Sequence, residues 1–201
     1  MQIDVSKTTP QEIYPYITGV VNPRPIAWVT TLSASGVINL APFSFFNAFG
    51  ANPPIVVFSP TLTRAGAKKD TLRNLEHLGE FVIHSSVALL AEKVNLTSKE
   101  CPPDESEITL AGLHTIPSVK IKVPRVKEAP VAMECVVKQI IPTGTGPIAG
   151  NLVIGEIVMM HIDNAVLDST GHPDPRKLQT VGRMGGVWWT HTNELFELQR
   201  P

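Results

Sequence analysis

The residues best suited to chemistry are three cations, an aspartate and a threonine in one short run. Arg64, Lys68, Lys69, Asp70 and Thr71 lie where a polar loop is expected to lead into a helix. A helix start has free backbone N–H groups and partial positive charge, so basic and hydroxyl side chains there would bind a phosphate. The alternative is a solvated basic loop in which Asp70 only caps the helix. Adjacent side chains diverge by about 100° at a helix start, so only one of the two lysines is expected to face the phosphate.

A second candidate is an aromatic stretch after a predicted hairpin. The apolar runs Ile26–Leu32 and Val37–Ala41 are joined by the short polar linker Ser33–Gly36, which is typical of a hairpin connection. Pro42 is expected to end the second strand and to begin the loop Phe43–Asn47, which mixes three Phe with Ser and Asn. An apolar loop with a few polar groups suits a flat heteroaromatic ligand. It could instead be a hydrophobic plug that closes one end of a barrel.

A third candidate lies near the carboxyl end, where Gly182–Gly186 contains Arg183 and is soon followed by Trp188 and Trp189. Glycines let a backbone approach a ligand closely, and an arginine there could hold an anion. The alternative is a tight turn whose tryptophans pack in a core or in a subunit interface.

Patterns for side-chain catalysis and metal binding are weak in this sequence. It contains no Walker loop, no GxGxxG and no GxSxG motif. The six histidines lack metal-ligand spacing, and His84 and His161 are interpreted as structural residues of predicted strands. Cys101 and Cys135 are expected to be reduced structural thiols. Because no acid–base pair is evident, an enzyme of this sequence is expected to take its reactivity from a cofactor.

Composition sets further bounds on the class of protein. The chain has 201 residues, of which 43% are hydrophobic and 17% charged, with a formal net charge of −1. This charge argues against general electrostatic binding of nucleic acid. The sequence has neither an apolar signal core nor a membrane-length apolar run, which predicts a cytoplasmic protein without a membrane segment.

Short segments punctuated by 18 prolines favour strands over a helical bundle. A first helix is predicted from the cap Thr9 with its partner Glu12, and Pro15 is expected to keep it short. Two more helices are predicted at Thr71–Leu78, ended by Gly79, and at Val87–Leu96. Further strands are predicted at Pro54–Ser59 (buried on both faces), Phe81–His84, Val119–Val123, Pro130–Ile141 and Asn151–Ile162.

These elements predict a β-rich α+β fold with short inserted helices. Six or seven strands are expected, and the two longest are separated by a short Gly- and Pro-rich loop, so they are expected to pair antiparallel. Long antiparallel pairs favour a barrel over a doubly wound sheet. Residues 97–115 are expected to form an irregular excursion. No linker or repeat interrupts the sequence, so residues 1–201 are predicted to form a single domain.

Five motifs together resemble the flavin reductase-like family of FMN-binding split barrels, which includes flavin reductases and flavoredoxin. In chain order they are NPRPIAWVTT, NLAPFSFFNAF, PPIVVFSP, KKDTLRN and GRMGG, and they extend from about residue 15 to 190. The resemblance implies a Greek-key split β-barrel and a homodimer with FMN near the dimer interface.

The resemblance also implies which residues bind the cofactor. Thr30 and Thr31 would end the first strand beside the flavin, and Arg183 would lie near the cofactor or the partner subunit. The ring and ribityl chain would be held, largely by backbone groups, at Asn39, Ala41, Ser44, Phe45, Phe46 and Asn47. The phosphate end would comprise Ser59, Lys68, Lys69, Asp70 and Thr71, to which the cationic run described above adds Arg64. No side-chain catalytic residue and no metal is implied, because the flavin carries the chemistry.

The function favoured by this resemblance is NAD(P)H-dependent reduction of flavin, with electrons passed to a partner oxygenase or another acceptor. One alternative is a flavoredoxin-like electron carrier or FMN-binding protein without nicotinamide activity. Another is a barrel that binds no flavin. The sequence leaves open FMN or FAD, NADH or NADPH, and the physiological acceptor. It also leaves open whether residues 100–115 cover the site.

Overall fold

The computed structural model describes residues 1–102 and 104–199; Pro103, within the predicted excursion, lies outside them. The strands are β1 Arg24–Pro25, β2 Ala27–Leu32, β3 Ile38–Phe43, β4 Phe46–Ala51, β5 Pro54–Phe58, β6 Glu80–Ser85, β7 Thr115–Ile116, β8 Arg125–Val126, β9 Val131–Pro142, β10 Asn151–Ile162, β11 Val181–Arg183 and β12 Trp189–His191. The helices are α1 Pro10–Val20, α2 Asp70–Leu78, α3 Ala91–Leu96, α4 Glu107–Leu110 and α5 Pro175–Leu178. Single 3-10 turns occupy Val5–Lys7, Ala88–Leu90 and Asn164–Val166.

Seven strands form one antiparallel sheet in the order β3-β2-β6-β9-β10-β5-β4. Its two edge strands, β3 and β4, follow one another in the chain and are separated only by Ser44 and Phe45. Because two residues span only about 7 Å, the sheet must curl until its edges nearly meet. The Ser59 N–H donates to the Phe45 carbonyl at 2.9 Å and fastens this junction. The result is the predicted β-rich α+β fold, a split barrel with short inserted helices.

Strand β2 is buried on both faces because helices and loops cover the outside of the barrel at this strand. In β2, Ala27 and Val29 join an inner cluster with Phe43, Phe58 and Phe81. The intervening Trp28 packs in a second, outer cluster that includes residues of the segment from Val87 to Val94. The strand period of two therefore places alternate residues of β2 in two different cores.

The predicted long pair is confirmed. Strands β9 and β10 pair antiparallel from Val131↔Ile162 to Pro142↔Asn151, with two register shifts. One shift lies between Ile154 and Gly155. A Cβ added to Gly155 would lie 2.3 Å from Cζ of Phe81, so the bare backbone makes room for that ring.

The start of α1 is as predicted, but its length is not. Thr9 Oγ1 accepts from the Glu12 N–H at 3.3 Å, and the Glu12 carboxylate accepts from the Thr9 N–H at 2.8 Å. The prediction that Pro15 keeps the helix short is wrong, since α1 continues to Val20. Pro15 removes only one N–H from an exposed turn, where water can satisfy the freed carbonyl.

The region around the aromatic stretch differs from the predicted loop. Strand β3 continues through Pro42 to Phe43, and Phe46 already begins β4, so Phe43–Asn47 is not a loop but a two-residue junction between strands. Pro42 is tolerated because β3 is an edge strand, where a missing ladder donor costs little.

Four further predictions about elements need correction. Strand β5 alternates, with Val56 and Phe58 buried and Ile55 and Val57 half-buried, rather than being buried on both faces. Residues 119–123 are not a strand; the buried Glu134 carboxylate accepts from the N–H groups of Val119 and Lys120 at 2.8 and 2.7 Å. The predicted helix at 87–96 is a 3-10 turn followed by α3, and the excursion at 97–115 contains α4.

Candidate functional site

A cleft of about 320 Å³ lies between β3, the start of α2 and the segment that follows α3. Strand β3 contributes Asn39, Ala41, Pro42 and Phe43 to its wall, and residues 97–101 form the opposite side. The start of α2 closes one end with Lys68, Lys69, Asp70 and Thr71. The structure thus brings together six residues that the sequence predicted for one site, from segments about 30 residues apart.

Lys69 is the most unusual cation of this cleft. It is the N-cap of α2, has extended backbone, and no side chain caps the helix. Its side chain is half-buried, and its Nζ lies 6.0 Å from the ring centroid of Phe43. Burial lowers the pKa of the Lys69 ammonium, an effect that the nearby Glu100 carboxylate partly offsets. Within residues 1–102 and 104–199, no carboxylate lies within ion-pair distance of Lys69.

The other charges at the start of α2 already form ion pairs. Lys68 is exposed, and its Nζ forms an ion pair with Glu76 at 2.7 Å. Asp70 forms an ion pair with Arg73, one turn along the helix. The prediction that Asp70 caps α2 is wrong, because Asp70 is the first helical residue and Lys69 precedes it. The free positive charge and the uncapped amides of this helix start therefore coincide at Lys69.

Buried hydrogen bonds fix α2 against the sheet. Asn39 Nδ2 donates to Thr71 Oγ1 at 2.9 Å, and Asn74 Nδ2 donates to Thr31 Oγ1 at 3.0 Å. Thr30 is fully buried, and its hydroxyl donates to the Pro124 carbonyl at 2.8 Å. The Asn39–Thr71 and Asn74–Thr31 bonds hold α2 in place, and the hydroxyls of all three threonines already have protein partners.

The junction between β3 and β4 lies beside a smaller hollow of about 200 Å³. Ser44, Arg183 and Trp189 line this hollow, which shares Pro42 and Ser98 with the cleft. The Arg183 guanidinium lies 5.2 Å from the Trp189 ring centroid, and its Nη2 donates to the Gly186 carbonyl at 2.7 Å. Arg183 thus lines this neighbouring hollow and not the cleft that holds Lys69.

Other predicted site residues lie around these openings. The ring of Phe45 packs edge-on against Tyr14, with centroids 6.2 Å apart. Phe46 contributes to a separate cavity behind the junction, and Asn47 is exposed on β4. Ser59 Oγ accepts from the Asn151 N–H at 3.1 Å, which ties the end of β5 to β10.

A larger hollow of about 800 Å³ adjoins the cleft on the side of α1. Arg64 and Tyr14 line this hollow and not the cleft, whereas Thr63, Lys69 and Glu100 line both. Arg64, predicted beside the lysines, is therefore separated from the wall formed by β3.

Sequence reasoning missed two buried charged residues near the site. Arg24 donates to the carbonyls of Thr18, Val21 and Met184, and its Nε lies 3.4 Å from Ser44 Oγ. Its position between two prolines was visible in the sequence, but its burial was not.

Glu107 is the other missed residue, and it lines the cleft. Its Oε2 accepts from the Leu40 N–H of β3 at 2.9 Å, and burial raises the pKa of its carboxyl group. The neighbouring Ser106 hydroxyl donates to the Ile38 carbonyl, so α4 covers the outer edge of β3. No sequence pattern marked this contact.

Within the part of the chain that the structure describes, no cluster of three His, Cys, Asp or Glu side chains could hold a metal ion. Among the same residues, no helix has both the length and the apolar character needed to cross a membrane.

The split barrel is the fold that the five sequence motifs imply. The profile of the flavin reductase like domain matches residues 21–180, and the chain belongs to that family. YwrF of Bacillus subtilis is 39% identical over 194 residues, covering 95% of this chain and 94% of YwrF.

Two solved structures are similar to the protein over nearly their whole length. Nitrilotriacetate monooxygenase component B from Bacillus cereus is 39% identical, with a TM-score of 0.92 and 98% of each chain covered. The 2-nitrobenzoate 2-nitroreductase NbaA of Pseudomonas fluorescens is 34% identical, with a TM-score of 0.89, and covers 100% of this chain and 96% of its own. Family and fold together identify an oxidoreductase of the flavin reductase type.

Proposed function

We propose that the cleft binds FMN, with the phosphate at Lys69 and the flavin ring along β3 and the β3–β4 junction. The observation that carries this proposal is the half-buried ammonium of Lys69 at an uncapped helix start, with no ion-pair partner among residues 1–102 and 104–199. A phosphate there would gain a charge-assisted hydrogen bond and the free amides of the first turn. The phosphate would also provide an anionic partner for the Lys69 ammonium.

The remaining residues of the site have different roles in the proposed binding of FMN. Thr71, held by Asn39, supports the phosphate end, and Ser59 fixes the strand end behind it. Ala41 and the Ser44–Asn47 segment offer backbone groups and apolar surface to a flat ring. Arg183 lies in the hollow beside the β3–β4 junction, near the proposed ring position, while Thr30 and Thr31 support the wall. When bound, a flavin would supply the electron transfer, for which these residues need no acid–base pair.

We further propose NADH or NADPH as the electron donor, and a partner oxygenase that receives the reduced flavin. The similarity to nitrilotriacetate monooxygenase component B supports this arrangement, because that protein is a component of an oxygenase system. A homodimer is also proposed. Val187 and Trp188, in the turn between β11 and β12, are 83% and 73% exposed, and burial against a second subunit would remove this apolar surface from water.

A second candidate is direct reduction of a nitroaromatic compound at the same site. The similarity to 2-nitrobenzoate 2-nitroreductase over the whole chain favours it. Both candidates need the same bound flavin and nicotinamide donor, and they differ only in the acceptor. Steady-state turnover with free FMN and with 2-nitrobenzoate as competing acceptors would separate them.

The phosphate assignment is tested with Lys69→Gln, Lys68→Gln and two ligands. Riboflavin lacks the phosphate that FMN has. Lys69→Gln should therefore weaken FMN binding by about ten- to a hundredfold and riboflavin binding by less than about threefold. Lys68 is the matched control, because its ammonium is exposed and paired with Glu76. Fluorescence titration measures both affinities. Equal losses of affinity for the two ligands in the Lys69 variant would show that the phosphate does not bind at Lys69.

A further inference from the structure

Arg24 is a buried cation without a carboxylate partner. It is only 6% exposed, and within the part of the chain that the structure describes no carboxylate lies within ion-pair distance of its guanidinium. Its Nη1 donates to the carbonyls of Thr18 and Val21 at the carboxyl end of α1, and its Nη2 donates to the Met184 carbonyl at 2.8 Å. Because carbonyl oxygens have only partial negative charge, the positive charge of Arg24 is not balanced.

This charge lies beside the junction between β3 and β4. The Arg24 Nε donates to Ser44 Oγ at 3.4 Å, and Ser44 and Arg183 both line the hollow at this junction. Burial lowers the pKa of the Arg24 guanidinium; Tyr14 opposes this effect, and the positive charge of Arg183 adds to it. An arginine nevertheless stays protonated in a protein. Two guanidinium groups therefore make this end of the proposed ring site positively charged.

The hydrogen bond from Arg24 also determines what the Ser44 hydroxyl can do. A guanidinium N–H can only donate, so Ser44 Oγ is the acceptor in this contact and its own hydrogen remains for another partner. Among the described residues, the Ser44 side chain makes no other hydrogen bond. The hydroxyl is therefore free to donate to a ligand in the hollow that Ser44 lines.

We propose that Arg24, through its charge and through the Ser44 hydroxyl that it orients, makes the site bind reduced flavin more tightly than oxidised flavin. The inference rests on the proposed function, since it needs a flavin ring at the β3–β4 junction. Hydride transfer from the nicotinamide donor leaves the oxidised nicotinamide and adds two electrons and one negative charge to the flavin. A buried cation and a hydroxyl donor stabilise that added charge, which makes the reduction more favourable. Arg24 is a positioning residue, because Ser44 would contact the ring.

The midpoint potential of bound FMN, measured by anaerobic equilibration with a reference dye, tests this preference. A tenfold loss of preference for the reduced form lowers a two-electron potential by about 30 mV. Ser44→Ala removes the donor and should lower the potential by about 30 mV, whereas Ser44→Thr keeps a hydroxyl and should stay within about 15 mV of wild type. Arg24→Gln also removes the charge and should lower the potential by about 60 mV, a hundredfold loss. Arg176→Gln, at an exposed arginine of α5, is the charge-matched control and should leave the potential unchanged.

The outcomes distinguish this inference from the proposed function. A merely structural Arg24 would weaken oxidised and reduced flavin alike, so an unchanged potential in Arg24→Gln overturns the inference. If that variant does not fold, Ser44→Ala decides: an unchanged potential overturns the inference, and a lowered potential that Ser44→Thr restores supports it. If FMN binds and depends on Lys69 while the potential stays constant, this inference fails and the FMN cleft stands. If the wild-type protein binds neither FMN nor riboflavin, both fail.

Discussion

At the scale of single residues, His84 illustrates how burial decides protonation. It is fully buried between two backbone groups: the Val126 N–H donates to Nε2 at 2.9 Å, and Nδ1 lies 2.9 Å from the Trp28 carbonyl. Since Nε2 accepts, the proton must be on Nδ1, and the ring is neutral. Burial lowers the pKa of His84 to about 4, and the positive charge of Arg125 acts in the same direction.

This depressed pKa predicts a pH dependence of stability. Between pH 6.5 and about 4 the unfolded chain binds a proton at this position that the folded protein does not, so stability falls as pH falls. We expect His84 to contribute a loss of about 2 kcal/mol in unfolding free energy between pH 7 and pH 5.

Urea unfolding of wild-type protein and His84→Gln at both pH values measures this loss. The difference in unfolding free energy between wild type and His84→Gln should be about 2 kcal/mol smaller at pH 5 than at pH 7. The other histidines are present in both proteins, so their titration cancels in this difference. An advantage independent of pH would show that His84 is not buried in the neutral form.

Single residues also limit what the sequence can predict about the site. Lys68 and Lys69 are adjacent and chemically identical, so the sequence could predict a cation at the helix start but not which lysine. The difference arises from tertiary structure, since Glu76 neutralises the exposed Lys68 while the cleft wall half-buries Lys69. Arg24 and Glu107 were missed for the same reason, because their partners are backbone groups of distant segments.

At the scale of elements, the packing of the β6 residue Phe81 against β10 requires a glycine at position 155. The Phe81 ring occupies the place where a Cβ of residue 155 would be, and it packs against Phe58 with centroids 5.4 Å apart. Gly155→Ala should therefore destabilise the protein by about 1–3 kcal/mol through overpacking.

The matched control is Gly19→Ala, in helix α1, where nothing lies within 4 Å of the added Cβ. That change should stabilise the protein by about 0.5–1 kcal/mol, because alanine loses less entropy in a helix. Chemical unfolding of both variants gives the comparison. Equal effects of the two substitutions would contradict the packing at Phe81.

Elements with strong local signals were predictable, and those stabilised by distant side chains were not. The capping box of α1 and the glycine end of α2 depend on residues within one turn, and both are found. Strand β4 was missed because its residues are mostly exposed and lack an alternating pattern. Residues 119–123 do alternate, but Glu134 binds their backbone amides, so they join no ladder.

At the scale of the whole molecule, the site forms where the curled sheet brings its two edges together. Strand β3, the start of α2, the segment after α3 and the turn after β11 are far apart in the chain and meet around the cleft and its neighbouring hollows. The family motifs in the sequence indicated this split barrel and the order of its parts. They could not indicate the two hollows, whose shapes depend on how the loops pack.

The central claim is that this barrel binds FMN and that a nicotinamide donor reduces it. Anaerobic rapid mixing of the FMN-loaded protein with NADH, and separately with NADPH, tests it most directly. We predict loss of the visible flavin absorbance within the time of one catalytic turnover for at least one donor, with that reduction slowed in Lys69→Gln at subsaturating FMN. If the flavin absorbance persists with both donors while FMN remains bound, the protein is not a nicotinamide-dependent reductase. The electron-carrier alternative would then be favoured.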